Sequence, residues 1–383
     1  MRLMIVHSRY RQRGGEDAVV DLEIKALRQA GLDILPVLAE NGALARMSPV
    51  RAGLRALWSV DTFRALRQQA EAFRPDLIHV HNTFPGLSAS VYAAARSANL
   101  PIVQTLHNFR LLCTNALLLR DNQPCTRCIG HSLPWQGILH GCYRGSIGLS
   151  ASVGLQAALH RAAAGGIARY IALSPSSRDF FIEGGLPSDR LTVRPNFTTD
   201  PGPAPPAEGR HGLLFVGRLS PEKGLDTVLS ALSGIDSTLS VIGDGPEAAR
   251  LKAMAPASVR WLGAQPPERV SQEMHKAALL VFPSLAFETF ALVIAEAMAH
   301  GLPVLASDRG AMRDIVVPDV TGWLLPPGDR DAWNAALAVR LADPQHLADV
   351  GRSARNRYLE TLTPAHVISR QMDIYRSVLE ERP

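Results

Sequence analysis

Short apolar runs alternate with helical patterns along the whole chain. The first run, Leu3–Val6, leads into a polar loop that contains Gly14 and Gly15, and helical periodicity follows over Ala18–Ala30. Brief runs of this kind suit parallel strands buried on both faces, with helices as the crossovers. The pattern therefore predicts a doubly wound α/β domain over residues 1–198. Its other predicted strands are Leu77–Val80, Ile102–Leu106, Tyr170–Leu173 and Leu191–Val193.

A proline-rich break interrupts this pattern at residues 199–211. The segment Asp200–Gly209 holds four prolines and two glycines, which suit neither a helix nor a central strand, so we predict an interdomain linker. A second α/β series over 212–363 predicts another doubly wound domain. Ligands of such sheets bind beyond the carboxyl ends of the strands, which favours a cleft between the halves as the site. The predicted strands are Leu213–Val216, Leu239–Ile242, Val259–Leu262, Leu279–Phe282 and Val304–Ala306, and the predicted late helices are Asp331–Ala342, His346–Thr361 and Pro364–Glu381.

Composition narrows the class of protein. With 383 residues, 46% hydrophobic and 20% charged, the chain is neither disordered nor fibrous. No apolar run approaches the ~18 residues of a membrane span, and the first run is too short for an export signal, which predicts a cytoplasmic protein. The net charge of +5 suits anionic partners. The basic stretch 46–74 fits either a solvated helical face or a peripheral contact with anionic membrane.

Two glycine-containing loops of the second half carry candidate phosphate chemistry. After the strand Leu213–Val216, Gly217 permits close backbone approach, and Arg218 and Lys223 offer two cations suited to a diphosphate. A surface turn with two basic residues is the alternative. The sequence Gly243-Asp244-Gly245 follows the next strand, where a glycine turn before a helix can bind a nucleotide. Because Ala248 stands where the dinucleotide fingerprint has its third glycine, a tight strand-to-helix turn remains equally open.

Two glutamates follow the strand Leu279–Phe282. We predict a helix over about Thr289–His300, with Glu288 at its entrance and Glu296 inside an apolar stretch that demands a strong hydrogen-bond donor. Eight helical residues would place the carboxylates roughly 12 Å apart, near the length of a nucleotide sugar. The alternative is a helix cap combined with an ion pair in the core.

Taken together, these motifs resemble glycosyltransferase family 4, the glycosyl transferases group 1. The resemblance rests on Gly-Arg-Leu-x-x-x-Lys-Gly at 217–224, Gly-Asp-Gly-Pro at 243–246, Glu-x7-Glu at 288–296, and Gly-Leu-Pro-Val followed by Ala-Ser at 306–307. It implies a GT-B fold, α/β with two Rossmann-like doubly wound domains facing a central cleft. It also implies a retaining enzyme that moves a hexose-type sugar from a UDP- or GDP-linked donor to an acceptor hydroxyl.

The resemblance assigns roles to residues of the second half. Arg218 and Lys223 would neutralise the diphosphate without a metal, Glu288 would contact the sugar hydroxyls, and Glu296 the ribose. Backbone near Leu262 would edge the base. The remaining expected donor contacts are Gly217, Gly243, Asp244, Gly245, Phe290, Ala291 and Leu292.

In the first half the resemblance implies an acceptor-binding domain. Gly14 and Gly15 would lie near the diphosphate and acceptor, and His107 would reach the donor sugar or acceptor, although a structural histidine is the alternative. Asn108 stands where the family more often has Asp, so a carboxylate role there is in doubt. The final helix, 364–383, would pack back onto this half.

The expected acceptor is a lipid-linked or growing polysaccharide of the cell envelope or an exopolysaccharide, with no nucleic acid as partner. An epimerase or oxidoreductase on a related double Rossmann fold, and a catalytically silent nucleotide-binding homologue, are the alternatives. Apart from the donor, no cofactor is expected. Four cysteines within thirty residues leave a structural zinc site, a redox role and plain thiols all open, because only one close Cys-x2-Cys pair exists. They are Cys113, Cys125, Cys128 and Cys142.

Overall fold

The computed structural model describes residues 1–10, 14–40, 49–203 and 209–381. The chain forms two compact units, the first from residues 1–118, 125–196 and 365–383 and the second from residues 119–124 and 197–364. Part of the predicted linker, 204–208, and the start of the basic stretch, 46–48, lie outside the described residues.

The strands are short, and most are buried along their length. They are β1 (Arg2–Arg9), β2 (Asp33–Glu40), β3 (Leu77–Val80), β4 (Ile102–Leu106), β5 (Leu119–Arg120), β6 (Gln123–Pro124), β7 (Ile167–Ala172), β8 (Leu191–Val193), β9 (Leu213–Val216), β10 (Leu239–Ile242), β11 (Val259–Gly263), β12 (Leu279–Phe282), β13 (Val304–Ser307) and β14 (Gly322–Leu325).

Helices connect most of these strands. They are α1 (Gly15–Gln29), α2 (Pro49–Leu57), α3 (Val60–Phe73), α4 (Ser90–Ser97), α5 (Trp135–Leu139), α6 (Ile147–Ala163), α7 (Pro175–Glu183), α8 (Leu225–Ala231), α9 (Ala248–Met254), α10 (Pro267–Lys276), α11 (Leu292–Ala299), α12 (Ala311–Ile315), α13 (Arg330–Leu341), α14 (Pro344–Thr361) and α15 (Pro364–Glu380). No helix of the described chain is long and apolar enough to cross a membrane.

The first unit is built on a six-stranded parallel sheet in the order β2-β1-β3-β4-β7-β8. The apolar run Leu3–Val6 that opens the sequence is fully buried in β1, between β2 and β3. The strand order reverses between β1 and β3. Since ligands of doubly wound sheets bind beyond the carboxyl ends of the strands at such a reversal, the loops after these strands are candidates for a site.

The second unit has a parallel sheet in the order β11-β10-β9-β12-β13-β14. Numbered within the unit this is 3-2-1-4-5-6, the Rossmann order, and the switch point lies between β9 and β12. The core on one face of the sheet contains Phe215, Val241 and the fully buried Trp333 of α13. These two sheets confirm the predicted doubly wound α/β fold class.

The last helix belongs to the first unit. Along α15, Val367, Tyr375 and Val378 are buried, and the Tyr375 hydroxyl is hydrogen-bonded to His79 Nδ1 on β3 at 2.7 Å. A strand of the sheet is thereby tied to a helix nearly three hundred residues later in the sequence. The first unit is therefore made from both ends of the sequence.

One predicted helix starts later than expected. The helix predicted over Thr289–His300 begins at Leu292, because Ala291 has φ −92° and ψ 85°, outside helical geometry. Glu288 therefore lies in a loop rather than at the helix entrance. The predicted spacing of roughly 12 Å between the two carboxylates assumed that all residues from Glu288 to Glu296 are helical, and this assumption was wrong.

Candidate active site

An ion pair stands at the switch point of the second sheet. The loop after β9 carries Lys223 and the loop after β12 carries Glu288, and Lys223 Nζ lies 2.7 Å from Glu288 Oε1. The Ser284 hydroxyl donates a second hydrogen bond to the same carboxylate oxygen at 2.8 Å. Both charged side chains are partly exposed, at 23% and 19%, so the pair is held in place and still open to a ligand.

Backbone contacts fix the two loops against each other. The amide of Leu285 donates to the carbonyl of Glu222 at 2.8 Å. Gly224 has φ +62°, and a Cβ there would lie 2.2 Å from the carbonyl oxygen of Pro283, so only glycine fits without a shift. The backbone contacts between the two loops therefore hold Lys223 next to Glu288.

Arg218 lies on the same loop but outside this pair. Its side chain is exposed, and within the described chain it makes no hydrogen bond or ion pair. The structure thus brings Lys223 and Glu288 into contact and leaves Arg218 as an available cation five residues earlier. A Cβ added to Gly217, at the start of the loop, would lie 3.3 Å from the Phe215 ring, a tight contact.

The Gly243-Asp244-Gly245 turn is explained by backbone packing. A Cβ on Gly243, which has φ +141°, would lie 1.8 Å from the carbonyl oxygen of Gly217, and one on Gly245 would lie 2.2 Å from that of Leu219. The Leu219 amide donates to the Asp244 carbonyl at 3.0 Å. These glycines join the β9 and β10 loops, so their presence does not by itself indicate a nucleotide.

The start of α11 leaves polar groups unsatisfied within the described structure. No side chain caps this helix, which follows Phe290 and Ala291. The Ile294 amide donates to the Ala291 carbonyl at 3.0 Å, which leaves the amides of Leu292 and Val293 open to an acceptor. Glu296, in the second turn, is half-buried, and its carboxylate has no hydrogen-bond partner among the described residues. Burial raises the pKa of Glu296 to about 7. We predicted a strong hydrogen-bond donor for this carboxylate, and the described chain does not supply one. A ligand hydroxyl could donate this hydrogen bond instead.

Leu262 lies near the end of β11, beside the glycine turn. The side-chain amide of Gln265 donates to its carbonyl. The next carbonyl, that of Gly263, accepts from the Gly243 amide at 2.9 Å. The backbone carbonyls of Leu262 and Gly263 therefore already accept hydrogen bonds from other groups of the protein.

In the first unit, Glu16 is at the centre of a polar cluster beyond β1. Tyr10 donates to Glu16 Oε2 at 2.9 Å, and Asn108 Nδ2 approaches the same oxygen at 3.3 Å. Burial raises the pKa of Glu16 to about 7. Gly14 and Gly15, at the start of α1, are exposed and have no atoms within 4 Å of a Cβ position, so space for a bound group lies beside them.

His107 lies at the end of β4 in a network of buried polar groups. Its Nε2 is hydrogen-bonded to His81 Nδ1 at 2.8 Å, and burial lowers the pKa of His107 to about 3, so the ring is neutral. His81 Nε2 in turn lies 3.6 Å from Glu23 Oε1. Glu23 pairs with Arg194 at 2.7 Å, and both side chains are fully buried. His107 also lines a pocket with Asn108 and other residues that follow β3 and β4.

Comparison with known proteins decides the family. The model for "Glycosyl transferase 4-like domain" matches residues 11–196, and the model for "Glycosyl transferases group 1" matches residues 197–357. The chain belongs to the glycosyl transferases group 1 family. The predicted resemblance is confirmed, and the two matches together span most of the sequence.

Curated relatives of this group 1 chain are glycosyltransferases. It is 38% identical over 122 residues to a GDP-mannose-dependent alpha-mannosyltransferase of Mycobacterium tuberculosis, covering 32% of each chain. It is 27% identical to D-inositol 3-phosphate glycosyltransferase of Segniliparus rotundus, covering 74% of this chain and 62% of that protein. It is 29% identical to phosphatidyl-myo-inositol mannosyltransferase of Mycobacterium leprae, covering 79% and 74%. The matched region thus spans only a third of the first relative and 62% of the second.

Solved structures show the same fold. Sucrose-phosphate synthase of Thermosynechococcus elongatus superposes with a TM-score of 0.74 at 17% identity, over all of both chains. Anabaena Alr3699/HepE in complex with UDP-glucose superposes with a TM-score of 0.72 at 18% identity, over 98% of this chain and 100% of that one. The GT-B fold predicted from the resemblance is confirmed.

The four cysteines do not form a metal site in the described structure of this group 1 chain. None of the four is part of a disulfide, and in the described chain no three of them bring their sulfur atoms within 4.8 Å of one another. Burial, followed by the neighbouring thiol of Cys113, raises the pKa of the Cys128 thiol to about 11. The zinc alternative is therefore not supported. In the described chain the one group with metal-ligand spacing is Glu23, His79 and His81, where Arg194 and Tyr375 already serve as partners.

Sequence reasoning missed several residues that shape these clusters. Ser284 gives no motif signal, since its role depends on two loops meeting. Glu23 did leave a signal, because it interrupts the buried stripe Val20, Ile24 and Leu27 of α1, and a carboxylate in such a stripe needs a buried cation. Its partner Arg194 is 171 residues away, beyond what local pattern can reach.

Proposed function

We propose that this protein is a retaining glycosyltransferase that moves a hexose-type sugar from a UDP- or GDP-sugar to an acceptor hydroxyl. The observation that carries the proposal is the pair of Lys223 and Glu288, joined by Ser284, at the switch point of the Rossmann-ordered sheet. A cation and an acid held together suit the two chemical parts of the donor, its diphosphate and its sugar hydroxyls. The relatives named above act on sugars, in agreement with this role.

In the proposed reaction the bond between the anomeric carbon and the diphosphate oxygen breaks, and the acceptor oxygen bonds to that carbon on the same face. The acceptor proton passes to the departing phosphate oxygen. Negative charge therefore develops on the diphosphate, and Lys223 and Arg218 stabilise it electrostatically. The uncapped first turn of α11 adds backbone amides and the positive end of a helix dipole.

The two glutamates divide the remaining polar groups of the donor. Glu288 accepts hydrogen bonds from sugar hydroxyls while Lys223 holds its carboxylate in place. Glu296 accepts from the ribose hydroxyls, which explains why a half-buried carboxylate lacks a donor in the described chain. The donor would thus supply the hydrogen bonds that the protein leaves unmade.

The first unit provides the acceptor side. His107 acts there as a neutral hydrogen-bonding group, because burial keeps its pKa near 3. Gly14 and Gly15 leave room for the diphosphate and acceptor to approach the start of α1. We expect the acceptor to be a lipid-linked or growing saccharide of the cell envelope or an exopolysaccharide, made at the cytoplasmic side.

The test combines a donor screen with two variants. Purified protein is incubated with a panel of UDP- and GDP-sugars, and release of free nucleotide is followed by mass spectrometry. With the active donor, Lys223→Ala and Glu288→Gln should each lower kcat/KM by about a hundredfold or more, as loss of a preorganised electrostatic contact does.

The matched control is Lys276→Ala. Lys276 also pairs with a glutamate, Glu273, at 3.1 Å in the same unit, but on the surface of α10. This variant should retain normal turnover. Folded Lys223→Ala and Glu288→Gln proteins with near-normal kinetics would remove the assignment of the site, and NAD(H) binding without nucleotide release would favour the oxidoreductase alternative.

A further inference from the structure

Exposed apolar side chains are concentrated in one part of the first unit. Of the fourteen large apolar side chains that are exposed in the described structure, ten fall between residues 54 and 159. They lie on or next to α2, α5 and α6, and α6 contacts both of the other helices. Single exposed apolar residues need no explanation, but a group on adjoining helices marks an interaction surface.

The spacing of these side chains places them in rows. Leu54 and Trp58 are four residues apart at the end of α2, as are Trp135 and Leu139 on α5. On α6, Leu155 and Leu159 repeat the spacing and Ile147 begins the same row. Residues four apart lie on one face of a helix, so each helix presents an apolar row to solvent. We call the group the apolar ridge. Its members and their exposed fractions are Leu54 63%, Trp58 49%, Trp135 47%, Leu139 63%, Ile147 60%, Leu155 44% and Leu159 39%.

The chain around the ridge is strongly cationic. From residue 54 to residue 159, the span of these ten side chains, there are nine arginines and four acidic residues, a difference of +5. Two of these arginines, Arg127 and Arg144, are exposed on the segments before α5 and between α5 and α6. Near α2, Arg55 is already paired with Asp61, at 3.4 Å. The apolar side chains are thus accompanied by a net excess of positive charge.

This combination selects among possible occupants of the ridge. A second copy of the chain would bring the same positive charge to a two-fold interface, where it would be repelled. An anionic bilayer offers apolar depth to leucine and tryptophan and negative headgroups to arginine. Tryptophan in particular favours the boundary between headgroups and acyl chains.

We propose that the apolar ridge docks the protein on an anionic lipid surface. The ridge inserts its leucines and tryptophans between headgroups, while Arg127 and Arg144 contact lipid phosphates. Its value to the enzyme rests on the proposed function, because an acceptor that is lipid-linked would be met at that surface. Docking itself is independent of sugar transfer.

Vesicle cosedimentation of the full-length protein tests the proposal. The probes are vesicles of equal parts phosphatidylglycerol and phosphatidylcholine, and vesicles of phosphatidylcholine alone. The protein should partition onto the first at least tenfold more strongly. The variant Trp135→Ser/Leu139→Ser should lower that partition at least tenfold, because burying either apolar side chain contributes about a tenfold factor. Leu54→Ser, on the neighbouring helix, should lower it further.

Controls distinguish binding through the ridge from non-specific binding by other apolar side chains and from misfolding. Val339→Ser removes a side chain that is equally exposed, at 60%, on α13 of the second unit, and it should bind vesicles like the wild type. Circular dichroism should show the same melting for all variants, since the ridge side chains are largely exposed. Release of nucleotide from the donor is measured separately, so loss of docking and loss of transferase activity are distinguishable.

Three outcomes would overturn the proposal. These are equal binding to both kinds of vesicle, no binding to either, and unchanged binding by the ridge variants. Sedimentation velocity without lipid adds a fourth: a wild-type dimer that becomes a monomer in Trp135→Ser/Leu139→Ser would assign the ridge to a second copy instead.

Discussion

Glu296 shows how a single side chain connects binding to stability. Its half-buried carboxylate has no partner in the described chain, and desolvation raises its pKa from an ordinary value of 4.5 to about 7. Between pH 4.5 and about pH 7, the carboxyl group is largely protonated in the folded state and largely ionised in the unfolded state. Stability therefore falls as pH rises through that window and stays reduced above pH 7.

We expect Glu296→Gln to stabilise the protein in a pH-dependent way. The neutral amide avoids the cost of the buried charge, so its advantage in free energy of unfolding should grow by about 2 kcal/mol from about pH 5.5 to about pH 8. Urea denaturation at the two pH values measures this. Isothermal titration should show weaker donor binding by the same variant. An advantage that does not change with pH would contradict the assignment of this pKa.

Glu23 and Arg194 form the opposite case, a buried charge that is paired. Burial opposes ionisation of Glu23, but Arg194 and the two nearby imidazoles outweigh it and hold its pKa well below the ordinary range. We expect Glu23→Gln to lower the free energy of unfolding by about 3–5 kcal/mol, because it leaves a buried guanidinium without its counter-charge. The double variant Glu23→Met/Arg194→Met should recover much of that loss. A double variant as unstable as the single one would mean that packing, not charge, dominates.

At the scale of elements, the glycine-containing loops that follow the strands differ in packing between the two units. The turn at Gly245 is filled by backbone from the neighbouring loop, whereas the turn at Gly14 borders open space. The same small side chain added to each should therefore reveal the difference between a structural glycine and one that makes room for a ligand.

Gly245→Ala and Gly14→Ala form this matched pair. In the first, the new methyl group would lie 2.2 Å from the carbonyl oxygen of Leu219, so we expect a loss of about 2 kcal/mol or more in thermal or urea unfolding. In the second, stability should change by less than about 1 kcal/mol while sugar transfer declines. Equal destabilisation by both substitutions would contradict this division.

The strands and late helices could be predicted from the sequence because they depend on local apolar periodicity, and β9, β10 and β12 lie where the pattern placed them. The start of α11 could not. Thr289, Phe290 and Ala291 have ordinary side chains for a helix, and the loop contacts that hold them out of it come from elsewhere in the fold, including the amide of Ala311, which donates to Glu288. The candidate site could be predicted only in part. Lys223 and Glu288 lie in sequence motifs, but their contact with each other, and that of Ser284 with Glu288, depend on tertiary structure.

At the scale of the whole molecule, α15 makes the first unit depend on the far end of the sequence. The buried Tyr375 joins α15 to His79, which itself lies 3.1 Å from Glu23. Through this hydrogen bond the buried polar network of the first unit includes a residue from the last helix.

We expect Tyr375→Phe to loosen the first unit selectively. Loss of one buried hydrogen bond costs about 1 kcal/mol, and His79 Nδ1 keeps only its contact with Glu23. Hydrogen exchange followed by mass spectrometry should therefore become faster in peptides from α1, β3 and α15. Peptides from α13 and β12 in the second unit provide the internal control, and equal acceleration there would contradict the division into units.

The discontinuity of the first unit also has a consequence for biosynthesis. When the ribosome has made residue 196, six parallel strands are complete, but the apolar side chains that α15 covers have no partner until translation has passed residue 380. Residues 197–364, nearly all of the second unit, are made in the meantime. A chain truncated after residue 364 should therefore hold a protease-sensitive first unit beside a complete second unit, and chaperones that bind exposed apolar surface should bind during the interval before α15 is made.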